Sequence, residues 1–340
     1  MMDKIISEDI ANIRKIIKGD VFSGKNVLVT GGAGFIGSWL CDILTSFGAS
    51  VTVVDNFSTG RIKNIDHLTP SEKFQLVKAD VSDFTSDKKF SFIFHMAAHA
   101  SPDEYLAHPI DTLQTSAFGT QKIAELARKS DATLLFASTS EVYGDAEIIP
   151  TPESYWGKVN PIGPRSCYDE GKRFAEALLM AYNKQYGLDV RIPRIFNTYG
   201  PRLREDGLYG RALSRFILQA LTNQPITVYG DGKQTRSFCY IADTVTGLLL
   251  LTLKSEANGE VVNVGNTNEI TILELAQKVR EAINRNSEIE FSLLPKDDPK
   301  RRRPDITKLE KLVSWKPIVT FEEGLKKTVT WFSNGMRGSC

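Results

Sequence analysis

The chain has 340 residues, 41% of them hydrophobic, which is enough to enclose a full core and somewhat large for one compact unit. Its 42 Lys and Arg against 41 Asp and Glu leave a formal charge of +1, so a general attraction to nucleic acid or anionic membrane is excluded and any anion site must be local. The cysteines, Cys41, Cys167, Cys239 and Cys340, stand far apart without a histidine pattern, which argues against a disulfide framework or a zinc site, and no metal is expected.

Residues 1–24 carry Ile6, Ile10, Ile13 and Ile17 at helical spacing, and predict an extra helix docked on the main domain. Charges interrupt the apolar positions there every few residues, so this is neither a signal peptide nor a membrane span, and a cytoplasmic setting is expected. From Asn26, short apolar runs at 27–30, 50–54, 74–78, 92–96, 133–137 and 190–195 alternate with helical stretches at 35–47, 119–129 and 168–186. That is the rhythm of an α/β, Rossmann-type doubly wound parallel sheet. After about Gly200 the alternation breaks down, so the chain divides into the extra helix, a dinucleotide-binding domain over 25–200, and a mainly substrate-binding lobe over 201–340. No repeat or Ser/Gly linker separates these parts.

Gly31, Gly34 and Gly37 follow the first strand and open the first helix, where glycine permits a tight turn and lets backbone N–H groups approach a pyrophosphate. Asp55 ends the second strand, 21 residues after Gly34. A carboxylate there accepts hydrogen bonds from the adenosine ribose and repels a 2′-phosphate, which favours NAD over NADP. Arg61 is near enough to soften that preference, although a solvated loop arginine explains it equally; Asp80 and Val81 fall where an adenine contact would lie.

Tyr168 and Lys172 lie four residues apart on a predicted helix, so both project from one face. A tyrosine, with an ordinary pKa of about 10, acts as a base near neutrality only if a neighbouring cation favours its phenolate. The spacing also arises by chance on surface helices, but Thr139 at the end of the fifth strand adds a hydroxyl able to share the proton. His95, His99 and Cys167 read as packing or loop structure, since no ligand set accompanies them.

The segments GGAGFIG, DNFSTGR, STSEVYG and Y-x-x-x-K, in this order, resemble the extended short-chain dehydrogenases/reductases that act on nucleotide sugars. More narrowly, the run 138–176, with RIFNTYGPR, FILQAL, TVYGDGKQTRSFCY and RRRPDITK, is similar to the UDP-glucuronate decarboxylases, also called UDP-xylose synthases. The resemblance extends from Asn26 to Phe332. It implies Thr139, Tyr168 and Lys172 as the oxidation and reduction triad, with Glu141 and Arg236 supporting decarboxylation. It places NAD on Gly31, Gly34, Phe35, Ile36, Gly37, Asp55, Asn56, Thr59, Gly60, Asp80, Val81, Ala97, Thr115, Tyr168, Lys172 and Thr198. The UDP-sugar would be held by Asn197, Arg211, Tyr229, Gln234, Arg236 and one arginine of 301–303, taken as Arg302 on the diphosphate. A homodimer packed through the helices at 119–129 and 168–186 is implied as well.

In the reaction so implied, Tyr168 takes the C4 hydroxyl proton while C4 gives hydride to NAD, leaving a carboxylate β to a ketone. That carboxylate leaves readily because the charge at C5 spreads into an enolate stabilised by Tyr168 and Thr139, and the hydride then returns to C4. Departures from the family pattern are Ser116 in place of Asn, Gln114 where animal enzymes have Lys, and a loop over 203–210 about two residues longer. A 4,6-dehydratase would need an acid where Ser140 stands, whose hydroxyl is too weak. A 4-epimerase remains an alternative, and a non-enzymatic NAD sensor would have no use for the Thr139, Tyr168 and Lys172 trio.

Overall fold

A computed structural model describes residues 3–204, 212–283, 287–294 and 299–337. Helix α1 (Lys4–Ile16) starts where the Asp3 carboxylate accepts the Ile5 N–H at 2.8 Å, a side-chain N-cap. Its apolar stripe, Ile6, Ile10, Ile13 and the following Ile17, is almost wholly buried in the main core. The buried Asp9 beside them accepts from the Tyr240 hydroxyl at 2.7 Å and pairs with Lys327, which satisfies a carboxylate that would otherwise be costly to bury.

The central sheet begins with β1 (Asn26–Thr30), β2 (Ser50–Asp55), β3 (Phe74–Lys78), β4 (Phe92–His95), β5 (Thr133–Phe136), the short β6 (Ser138–Thr139) and β7 (Val190–Ile195). Strand β4 stops at His95, one residue before the apolar run ends, because the Met96 and Ala97 N–H groups turn onto the Thr30 hydroxyl, each at 3.2 Å. The intervening helices are α2 (Phe35–Ser46), α3 (Pro102–Ala107), α4 (Pro109–Gln114), α5 (Thr120–Ser130) and α6 (Ser166–Tyr186). A π-helical turn, Thr115–Gly119, joins α4 to α5 and presses Gly119 on Val81, where an added Cβ would lie 2.6 Å from the valine methyl.

Beyond residue 200 the chain forms a second lobe but also returns to the first. After β8 (Thr198–Tyr199) come α7 (Ala212–Leu221), β9 (Ile226–Tyr229), β10 (Thr235–Ser237), β11 (Cys239–Tyr240), α8 (Ile241–Leu253) and β12 (Glu260–Val264). Strand β12 pairs in parallel with β7, so the sheet order is β12-β7-β5-β4-β1-β2-β3, with β6 also on β7. The main sheet thus takes in a strand from past the point where the sequence rhythm fails. Helix α8, apolar on most of its surface, is buried against that sheet, α1 and α2. The chain ends with β13 (Glu269–Thr271), α9 (Ile272–Ile283), β14 (Ile289–Ser292), β15 (Arg301–Arg302), α10 (Thr307–Val313) and α11 (Phe321–Arg337). Strand β10 lies between β13 and β15 and brings Arg236 into register with Arg302. No helix among the described residues is long and apolar enough to cross a membrane.

Candidate active site

Strand order reverses between β1 and β4, and a cleft of about 670 Å³ opens at the carboxyl ends of the strands there, where open α/β sheets bind ligands. Its floor is the turn from β1 to α2. Gly31 has φ of +64°, and a Cβ on it would meet the Ala97 backbone at 2.8 Å. A Cβ on Gly37 would come within 2.2 Å of the Gly31 carbonyl oxygen, so the helix can approach the turn only with glycine there. Gly37→Ala is therefore expected to displace the turn and abolish retention of dinucleotide, read as loss of cofactor from the purified, still folded protein.

Asp55 completes this end. Its carboxylate accepts the Ala33 N–H at 2.9 Å and the Phe57 N–H at 2.8 Å, and a Cβ on Gly60 would strike it at 2.7 Å. Burial raises its pKa, and those two backbone donors oppose the rise. Burial also pushes Asp80 upward, but hydrogen bonds from Ser82 and Asn56 outweigh it and hold the carboxyl below its ordinary value. A glycine turn that a Cβ would fill and a buried strand-end carboxylate fit the pyrophosphate and adenosine ribose of a dinucleotide.

The chemical end is built on α6. Tyr168 is buried and stacks on Tyr105, with ring centroids 5.2 Å apart. Lys172, one turn on, donates to the Ala137 carbonyl at 2.7 Å, and burial, only partly opposed by Glu176, lowers its pKa to about 7. His95 lies below, between the Thr30 and Thr120 hydroxyls; burial and Lys172 lower it to about 3, so it is a neutral packing group as expected from the sequence. The Thr139 hydroxyl accepts the Glu141 N–H at 3.3 Å, which leaves its proton to donate into the cleft.

Glu141 is held by two arginines. Arg302 forks onto both of its oxygens, and Arg165 donates to Oε2. Burial would raise this carboxyl, but the two guanidinium groups hold it well below the usual range. Arg302, assigned to a diphosphate from the sequence, is here engaged with Glu141 while lining the same cleft. The neighbouring Asp169 is buried, one oxygen lacks a hydrogen-bond partner, and burial together with the Glu141 charge raises its pKa.

The cleft brings together all the expected residues except Gly60, which supports Asp55 from behind the wall, and Arg211, which lies outside the described residues. At the far end Arg236, Asn197 and Gln234 line it; Gln234 donates to the Tyr229 carbonyl at 2.7 Å, and the Arg215 guanidinium lies 4.4 Å from the Tyr229 ring centre. Sequence reasoning passed over Arg165, Tyr105 and Arg215. A signal existed for Arg165, which precedes Tyr168 by three and so shares its helix face.

Such a cleft, with a dinucleotide cradle at one end and a buried tyrosine and lysine at the other, defines a dinucleotide-dependent enzyme that moves a proton at a substrate hydroxyl. The family model described as GDP-mannose 4,6 dehydratase matches residues 28–328. UDP-glucuronic acid decarboxylase 1 of Danio rerio is 50% identical over 309 residues, covering 91% of this chain and 73% of the relative. UDP-glucuronic acid decarboxylase 2 of Arabidopsis thaliana is 48% identical over 324 residues, covering 95% and 72%. Among solved structures, UDP-glucose 4-epimerase of Thermotoga maritima with UDP-glucose superposes with a TM-score of 0.84 at 31% identity, covering 92% and 99% of the two chains. The dTDP-glucose 4,6-dehydratase of Streptomyces venezuelae with NAD bound gives 0.82 at 28%, covering 92% and 98%. The chain belongs to the extended short-chain dehydrogenase/reductase family, in its UDP-glucuronic acid decarboxylase branch.

Proposed function

We propose that this protein decarboxylates UDP-glucuronate to UDP-xylose through a 4-keto sugar, with NAD regenerated in each turnover. The observation that carries the reading is one cleft in which Tyr168, Lys172 and Thr139 sit beside Glu141 and the cationic Arg165, Arg236 and Arg302. When bound, NAD supplies a reversible hydride acceptor for sugar C4. Gly31, Gly34 and Gly37 would hold its pyrophosphate and Asp55 its adenosine ribose.

Tyr168 takes the C4 hydroxyl proton, and Lys172, its Nζ 6.0 Å from the Tyr168 ring centre, lowers the cost of the phenolate when protonated. The uronate carboxylate, now β to a ketone, departs as carbon dioxide, and its bonding electrons enter the C5–C4–O enolate. Tyr168 and the Thr139 hydroxyl stabilise that oxygen by hydrogen bonds. C5 then takes a proton, with Arg236 first pairing the carboxylate and afterwards helping to order the proton source.

Two neighbouring chemistries fit less well. Dehydration needs a proton donor for a leaving hydroxyl, and Ser140 is a poor one. Epimerisation is the activity named for solved structures about 31% identical, against 50% for the named decarboxylases. The test is incubation with UDP-glucuronate and no added NAD, with carbon dioxide measured and the nucleotide sugar weighed by mass spectrometry. Intact six-carbon acid, or UDP-galacturonate without gas, overturns the reading.

The same proposal takes the protein as a cytoplasmic homodimer. Free, buried Cys41, Cys167 and Cys239 suit a reducing compartment. Ile110, Leu113, Phe118 and Phe174 are exposed on α4, the π turn and α6, a face suited to packing against its copy as a four-helix bundle. Phe118→Glu combined with Phe174→Glu should turn a dimer into a monomer in light scattering; an unchanged mass removes this interface.

A further inference from the structure

We infer that Arg165 is a positioning residue that keeps Glu141 ionised and aimed into the cleft, an inference that rests on the decarboxylase reading. Glu141 follows β6 and is gripped from two sides: Arg302 reaches it from the second lobe, and Arg165 from the N-cap of α6. The two grips differ in kind. Arg302 lies 161 residues away in sequence and reaches the cleft from β15 of the second lobe. Arg165 belongs to the same body as Glu141, and its backbone carbonyl accepts the N–H groups of both Tyr168 and Asp169 at 3.1 Å. Its side chain therefore ties the carboxylate to the helical turn that presents the tyrosine. Arg165 is thus the grip on Glu141 that is built into the element carrying the tyrosine.

The groups around Glu141 agree with this division. Arg302 on β15 and, in register with it, Arg236 on β10 face the cleft from the second lobe; Arg165 and Asp169 come from α6, and Tyr105 from α3. Asp169 is the nearby carboxyl that burial and the Glu141 charge drive toward its neutral form, so it adds little negative charge that would favour protonation of Glu141. Removing Arg165 takes away a cation in direct contact with Glu141 and must raise its pKa.

The test compares Arg165→Met and Arg165→Lys with the wild type in steady-state decarboxylation across pH. Arg165→Met should lower kcat about tenfold while KM for UDP-glucuronate stays within about threefold, and should move the acid limb of kcat up by about one pH unit. Arg165→Lys, which keeps the charge, should return the limb toward its wild-type position. A wild-type kcat and an unmoved limb in Arg165→Met overturn the inference, as does a limb that shifts equally in Arg165→Lys. Should Arg165→Met not fold, Arg165→Gln takes its place with the same expected shift; failure of both to fold makes Arg165 a structural residue and also overturns it. Wild-type protein serves as the control: absence of carbon dioxide there defeats the decarboxylase reading and this inference with it, an outcome distinct from a failure confined to the variants.

Discussion

Tyr168→Phe should abolish the first oxidation, with kcat falling by about a hundred- to ten-thousandfold, the range typical of losing a positioned proton acceptor. The substitution is a clean one. Tyr168 is 6% exposed and lies parallel to Tyr105, at an interplanar angle of 8°, so a phenylalanine keeps the packing and the stack and removes only the hydroxyl. Lys172 keeps its hydrogen bond to Ala137, and the dinucleotide cradle around Gly31 and Asp55 is untouched. The variant should therefore melt near the wild-type temperature and retain its cofactor, yet show no near-ultraviolet absorbance of reduced nicotinamide when UDP-glucuronate is added. A variant that still oxidises the sugar would move the base elsewhere. Among the other groups of this end, His95 is a poor substitute, because its neutral ring is already bonded to hydroxyls at both nitrogens.

Much of this arrangement is legible in the amino-acid sequence. The strand runs at 74–78 and 190–195 coincide with β3, a half-buried edge strand whose Phe74, Leu76 and Val77 mark it among polar neighbours, and with β7, whose first four residues are buried in the sheet. The glycine turn and Asp55 are readable because dinucleotide binding fixes their spacing along a single β-turn-α-β stretch. What escapes is held by distant parts of the chain. Strand β12 joins the sheet from beyond residue 200, where local rhythm gives no warning of a return to β7. Helix α4 is absent from the helical stretches read from the sequence, although its Pro109 is well placed in the first turn of a helix. The pairing of Glu141 with Arg302 spans 161 positions, and no spacing rule links a strand end to an arginine of another lobe. Lys300 to Arg303 read as one basic run, yet the fold separates its members: Arg301 turns to Glu269 at the surface, while Arg302 turns inward to Glu141.

Arg236→Ala is expected to separate oxidation from decarboxylation, and the reason lies in the charge balance of the cleft. Arg236 and Arg302 are directly opposed on the adjacent strands β10 and β15, an arrangement that is unfavourable for like charges unless each has an anion. Glu141 serves Arg302, and the Arg236 guanidinium, whose Nη1 donates to the Thr235 carbonyl at 2.9 Å, also borders the cleft. In the proposed reaction the sugar carboxylate is the anion that Arg236 receives. A hydrogen bond to a charged group contributes about 1.5–3 kcal/mol, so its loss should cost roughly ten- to a hundredfold in kcat/KM. Because Tyr168, Lys172 and Thr139 are unchanged, the variant should still oxidise C4, and the 4-keto acid should accumulate and be trapped by borohydride reduction for mass spectrometry. Decarboxylation at the wild-type rate would remove Arg236 from the reaction; loss of the 4-keto acid as well would show that the carboxylate grip is needed to seat the sugar for oxidation, and would place Arg236 in ground-state binding instead.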